Sequence, residues 1–146
     1  MSAYDWLLFL HLAGAFIFGM ATIAYWGAVV AAAKPQGGDP QSVADTITRP
    51  ANFVVGAGAG IALVFGVWLA IYVDGYELWD PWILISLLLL LLAAGAGGLA
   101  GRSYVAATQR SNEEALTLRR RGMMYHTVAS LAFLVILALM VYKPGA

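Results

Sequence analysis

No cysteine occurs in this chain, which excludes disulfides, thiol nucleophiles and the thiol–quinone redox chemistry of disulfide-generating four-helix proteins. Charge is scarce too. Asp, Glu, Lys and Arg make up 11% of 146 residues, against about a quarter in a soluble domain. The eight carboxylates all fall between apolar runs or at their edges. Intramembrane ionisable groups mark transport pathways, so a proton-coupled exporter built on a buried acid is disfavoured. No ion-channel filter is visible.

What fills the chain is hydrocarbon: 62% of residues are hydrophobic and the mean hydropathy is +0.79. Between Asp5 and Lys34 there is no formally charged side chain. That run, WLLFLHLAGAFIFGMATIAYWGAVVAAA, exceeds the roughly 20 apolar residues that cross a bilayer as a helix. Three more follow, so the expected spans are about 6–33, 51–73, 82–101 and 123–142. Backbone amides in hydrocarbon must bond within their own segment. The expected fold is therefore all-α, an integral membrane antiparallel four-helix bundle, with residues 1–146 forming a single transmembrane domain. The first run lacks a basic leader and is too long for a signal-peptide core, so it is expected to be retained.

Sidedness follows from the cations. Lys34, Arg49, Arg102, Arg110, Arg119, Arg120 and Arg121 flank the first and third loops, and only Lys143 lies at the opposite end. The positive-inside rule then puts both termini outside and the arginine-rich loops in the cytoplasm of a bacterial inner membrane. Tyr4, Trp6, Tyr72, Tyr76, Trp79, Trp82 and Tyr142 form an interfacial aromatic belt at the outer boundary. Asp80-Pro81 predicts a cap and first turn for the third span, and Asp39-Pro40 a short helix over 41–48. Ser111 with Glu114 reads as a capping box, starting the fourth helix near Asn112.

Gly56, Gly58 and Gly60 on the second span and Gly95, Gly97, Gly98 and Gly101 on the third sit toward the cytoplasmic side. Small-xxx-small spacing permits close helix approach, which predicts tight apposition of spans two and three there. The alternative is room for a flat or branched ligand between the helices.

With Thr22, Thr127 and Ser130 as weaker cases, the polar candidates within the spans are His11, Asn52, Ser86 and His126. Each continues at helical spacing into small residues, so all four are expected to point into the bundle. His11 and Ser86 lie roughly 7 Å below the outer boundary, and Asn52 and His126 lie comparably shallow on the inner side. The plainest account is two interhelical hydrogen bonds, His11 with Ser86 and Asn52 with His126, each worth about 1 kcal/mol or less. The sharper account makes His11 or His126 a cofactor-binding residue, an axial ligand of haem. With depths on the order of 15 Å apart, the two cannot clamp one haem. Met20 and Met140 near His11, and Met123 and Met124 beside His126, are candidate second ligands, although helical methionine is usually filler. Without an intramembrane carboxylate, a metal constellation is not expected. Arg119–Arg121 suit anionic lipid headgroups, or, with Arg49, Tyr125 and His126, a propionate or phosphate.

The opening FLHLAGAFIFGM, with Leu10, His11, Gly14, Ala15 and Gly19 in register, resembles the first helix of an uncharacterised bacterial family of four-span predicted integral membrane proteins. The closing LMVYKPGA resembles that family's tail. More distantly, the chain is similar to the membrane domain of copper-resistance D proteins and to the haem-dependent four-helix protoporphyrinogen oxidase. Phe18 stands where relatives often carry tryptophan. The resemblance implies haem ligation by His11 and supplies no substrate. The leading expectation is a non-enzymatic accessory or scaffolding subunit. Its rivals are a haem-binding redox protein using His11 and a small transporter or lipid-binding protein. The lipid bilayer is the expected partner, with a homo-oligomer or larger membrane complex formed on leftover small-residue faces, and no nucleic acid.

Overall fold

Among the described residues, Pro50 and Pro81 stand in a first helical turn and Pro144 follows the last helix, so no proline interrupts the hydrogen-bond ladders of the four described helices. A computed structural model describes residues 2–32, 49–110 and 112–144. It contains α1 (Ala3–Ala32), α2 (Arg49–Tyr72), α3 (Pro81–Thr108) and α4 (Asn112–Tyr142). All four are long and apolar enough to cross a membrane, and no strand occurs among the described residues. The expected helix over 41–48 and the Ser111 side of the capping box lie outside the described residues.

Helix ends follow local chemistry. At the start of α1, Asp5 N donates to Ser2 Oγ at 3.2 Å and Ser2 N donates to Asp5 Oδ2 at 2.7 Å, a reciprocal cap that satisfies amides lacking helical partners. Asp80 occupies the N-cap position of α3 but makes no side-chain cap bond. Its carboxylate instead accepts from Glu77 N at 3.1 Å, closing the tight α2–α3 turn in which Gly75 takes φ +97, a conformation that glycine adopts without penalty. The helix of span three continues past the expected limit near Gly101 to Thr108. Arg102 marks where apolar character ends, but nothing after it breaks a helix.

Side-chain size then decides which helices touch. α1 packs closely against α2, and α3 against α4, whereas α2 and α3 meet only sparsely. The α1–α2 crossing is nearly backbone on backbone: a Cβ on Gly14 would lie 2.5 Å from Ala62 N, and one on Gly58 would lie 2.6 Å from Phe18 N. Between α3 and α4 the corresponding close point is Gly122, where a Cβ would meet the Tyr104 ring at 2.8 Å. The two hairpins join around Phe18, Ala59, Ala93 and Ala132, one residue from each helix. Phe133 caps that cluster, its ring 4.9 Å from Phe18 and inclined at 60°.

The expected tight apposition of spans two and three is therefore corrected. A Cβ on Gly56, Gly60, Gly95, Gly97 or Gly98 would meet nothing within 4 Å, and only Gly101 is contacted across this seam, by the Asn52 amide. Small residues permit close approach, but the closest approach went to α1 with α2, where Gly14 and Gly58 face each other directly.

Candidate functional site

Two openings flank the central Phe18 cluster. The first is a cavity of about 230 Å³ toward the end of the bundle that carries both termini. It runs from Tyr76, Trp82 and Lys143 at that end to Phe18, Ala59 and Leu90 at mid-height, with His11 and Ser86 in its wall. From Leu8 to Phe18 along α1 is about 15 Å of helix rise, so the space is long and narrow.

His11 is held in one state by α2. Its Nδ1 lies 2.8 Å from Ala62 O, and a carbonyl can only accept, so Nδ1 carries a proton and donates it to α2. The ring rests on α2 at Gly66, where a Cβ would fall 2.7 Å from Nδ1. Ser86 Oγ, buried, donates to Trp82 O at 2.7 Å within its own helix. The expected His11–Ser86 bond is thus replaced by two bonds to carbonyls, although both side chains line one cavity. Each polar group found a backbone oxygen nearer than its supposed partner.

Trp82 is the residue that sequence reasoning misread. Taken as a belt aromatic, it is 5% exposed, its ring edge-on to Tyr76 at 5.4 Å, and its indole Nε1 is buried without a hydrogen-bond partner. Lys143 Nζ donates to Tyr76 Oη at 2.6 Å and stands 4.9 Å from the Tyr76 ring centroid and 5.8 Å from that of Trp82, within cation–π range. The signal for Trp82 was its spacing of four from Ser86, which puts both on one helix face. Nothing in the sequence tied Lys143 to the turn.

Toward the arginine-rich end the polar groups crowd together. The His126 ring stacks on Tyr25 at 4.9 Å and meets Trp26 edge-on at 4.8 Å. Tyr104 lies 5.6 Å from Tyr25. Trp26 Nε1 donates to Ser130 Oγ at 3.0 Å, and Ser130 donates to His126 O at 2.8 Å. Tyr25 Oη, Tyr104 Oη and His126 Nε2 are buried without partners. The expected Asn52–His126 bond is not made: Asn52 lies exposed beside Gly101 on the seam instead of pointing into the bundle. His126 lines neither of the two openings described.

The second opening is the groove left between α2 and α3, about 500 Å³, with a floor of Gly56, Gly97, Gly98 and Gly101 and polar edges at Asn52 and Arg102. Among the described residues no cluster of three or more His, Asp or Glu could hold a metal ion.

Four membrane-length helices, two closely knit hairpins and large apolar side chains exposed along every helix define a multi-pass integral membrane protein. Within that class the chain belongs to the family described as predicted integral membrane protein (DUF2269), whose profile matches residues 5–144. No curated protein and no solved structure matches it.

Proposed function

We propose that this protein is a membrane-embedded binding protein for a slender lipophilic molecule, received in the cavity lined by His11, Ser86 and Trp82. The carrying observation is the buried indole N–H of Trp82 without an acceptor in the wall of an otherwise largely apolar space. An unsatisfied buried donor costs about 1–3 kcal/mol, which an acceptor atom on a ligand recovers once the indole turns to meet it. With the arginine-rich loops in the cytoplasm of a bacterial inner membrane, the cavity faces the outer leaflet and both termini lie outside. Native mass spectrometry of the purified protein with dodecanol tests this. A 1:1 complex lost in Ala15→Phe, which fills the cavity wall, supports the proposal, and absence of any complex removes it.

Haem on His11 is the second reading, favoured by the Nδ1 bond to Ala62 O, because ligating imidazoles are oriented by such a second-nitrogen bond. The donor fits and the space does not. A cavity of about 230 Å³ falls below the roughly 300 Å³ at which small-molecule sites begin, so a macrocycle requires the hairpins to part. His126 as a haem-side residue requires Tyr25 and Trp26 to move. A Soret-region band from haem-replete cells, lost in His11→Ala, supports this reading, and colourless protein eliminates it. The accessory or scaffolding role draws instead on the glycine groove, and stable co-purification with a defined larger complex is its measurement.

A further inference from the structure

Hydrocarbon complementarity accounts for the length of the cavity but not for its end wall. Three donor-bearing side chains line it, those of Trp82, Tyr76 and Lys143. Trp82 Nε1 is buried with no acceptor, and an indole can only donate. Tyr76 Oη accepts from Lys143 Nζ at 2.6 Å, which leaves the phenolic hydrogen free to point elsewhere. The ammonium has three hydrogens and spends one on that bond. All three residues line the same cavity.

Charge around this end is lopsided. Asp74, Glu77 and Asp80 belong to the adjoining turn, yet among the described residues none of their carboxylates reaches salt-bridge distance of Lys143, and the ion pair found there is Arg110–Glu114 at the other end of the bundle. Asp80 is turned to the backbone amide of Glu77. Lys143 itself takes a left-handed backbone, φ 41, uncommon for a residue with a side chain. In this conformation the chain leaves α4 while the ammonium stays over the Tyr76 and Trp82 rings.

We infer that the ligand of this cavity bears an oxyanion head group on a single hydrocarbon chain, received by Lys143 Nζ, Tyr76 Oη and Trp82 Nε1. The inference rests on the cavity being the ligand site, as proposed above. An ionised carboxylate or phosphate is an acceptor without donors, which is the complement of a wall carrying three donor groups. A sugar or amine head brings donors that this wall does not receive, and a quaternary ammonium meets a cation. Hydrogen bonds to an ionised group are about twice as strong as neutral ones, and the low-dielectric surroundings of a membrane strengthen the attraction further. A free fatty acid and a single-chain phosphate lipid present the same chemistry.

The test uses the full chain in phosphatidylcholine nanodiscs at mildly alkaline pH, with dodecanoate, dodecyl phosphate, dodecanol and dodecyltrimethylammonium as probes of equal chain length. Both anions are expected to bind with 1:1 stoichiometry and about 10-fold or more tighter than dodecanol. Lys143→Met brings anion affinity down to the dodecanol level while dodecanol binding persists, which also shows that the variant is folded. Lys143→Arg keeps the preference, and Trp82→Phe lowers it by about 3-fold. A stronger response to dodecanoate identifies a free acid as the source, and a stronger response to dodecyl phosphate a phospholipid. Equal affinity for acid and alcohol, or a preference for the ammonium probe, overturns the inference and leaves the cavity proposal standing. Failure of all four probes overturns both.

Discussion

His11 and His126 occupy the same kind of position, a membrane helix turned toward its neighbours, and end in opposite circumstances. His11 lies on a glycine, is fixed by a carbonyl at 2.8 Å and faces space. His126 lies between two aromatic rings, with Nε2 buried and unpaired, and lines neither opening. The difference comes from the neighbours: Gly66 and Ala62 are too small to fill the room beside His11, while Tyr25, Trp26 and Tyr104 close over His126. A buried polar side chain becomes available for recognition only where the residues around it leave volume.

The strongest way to break this arrangement is at the backbone crossing. Gly58→Leu drives a side chain into Phe18 N, 2.6 Å from where its Cβ would stand, and overpacking of this kind costs about 1–3 kcal/mol or more. Aggregation on size exclusion, or a large fall in Tm in detergent, is the expected outcome. Gly66→Ala acts next in size, because its methyl would fall 2.7 Å from His11 Nδ1. It should displace the imidazole, cost about 1–2 kcal/mol and weaken dodecanol binding at the cavity, measured by titration.

The two histidines should then separate under one substitution. His11→Phe leaves Ala62 O without its side-chain donor and removes one polar group from the cavity lining, with an expected loss of about 1 kcal/mol. His126→Phe keeps the ring stack and removes an unpaired nitrogen, and is expected to be neutral or to stabilise by up to about 1 kcal/mol. Parallel thermal melts of the two variants check the sign. The smallest effect belongs to the groove: Gly97→Ala adds a methyl where nothing lies within 4 Å and should shift stability by less than about 0.5 kcal/mol.

Most of the fold was legible because hydrocarbon is an unambiguous solvent. Uncharged runs, Asp80-Pro81 and the Asn112 start mark the helices to within a few residues. The Ser2–Asp5 cap follows the same logic as the one expected at Ser111 but sits at the mouth of a helix whose hydrophobicity already settled its existence. Pairing was not legible, since Gly58–Ala62 carries the same small-xxx-small spacing as Gly56–Gly60 and Gly97–Gly101, Gly14 carries none, and only geometry in three dimensions decides which is used. The site was half legible. His11 and Ser86 stood out as polar atoms among apolar ones, whereas Trp82, Tyr76 and Lys143 were fully accounted for as boundary residues, and a side chain with an adequate explanation attracts no second one.

The turn between α2 and α3 is the covalent link between two halves that otherwise touch lightly. It is knotted by the Asp80–Glu77 bond and overlaid by Lys143 on Tyr76. Two stiff arms about 40 Å long, joined by this turn at one tip, are pinned again toward the other by Trp26 on Ser130 and Tyr25 on His126. The glycine groove therefore opens between α2 and α3 beside a fastened seam, not at a free end.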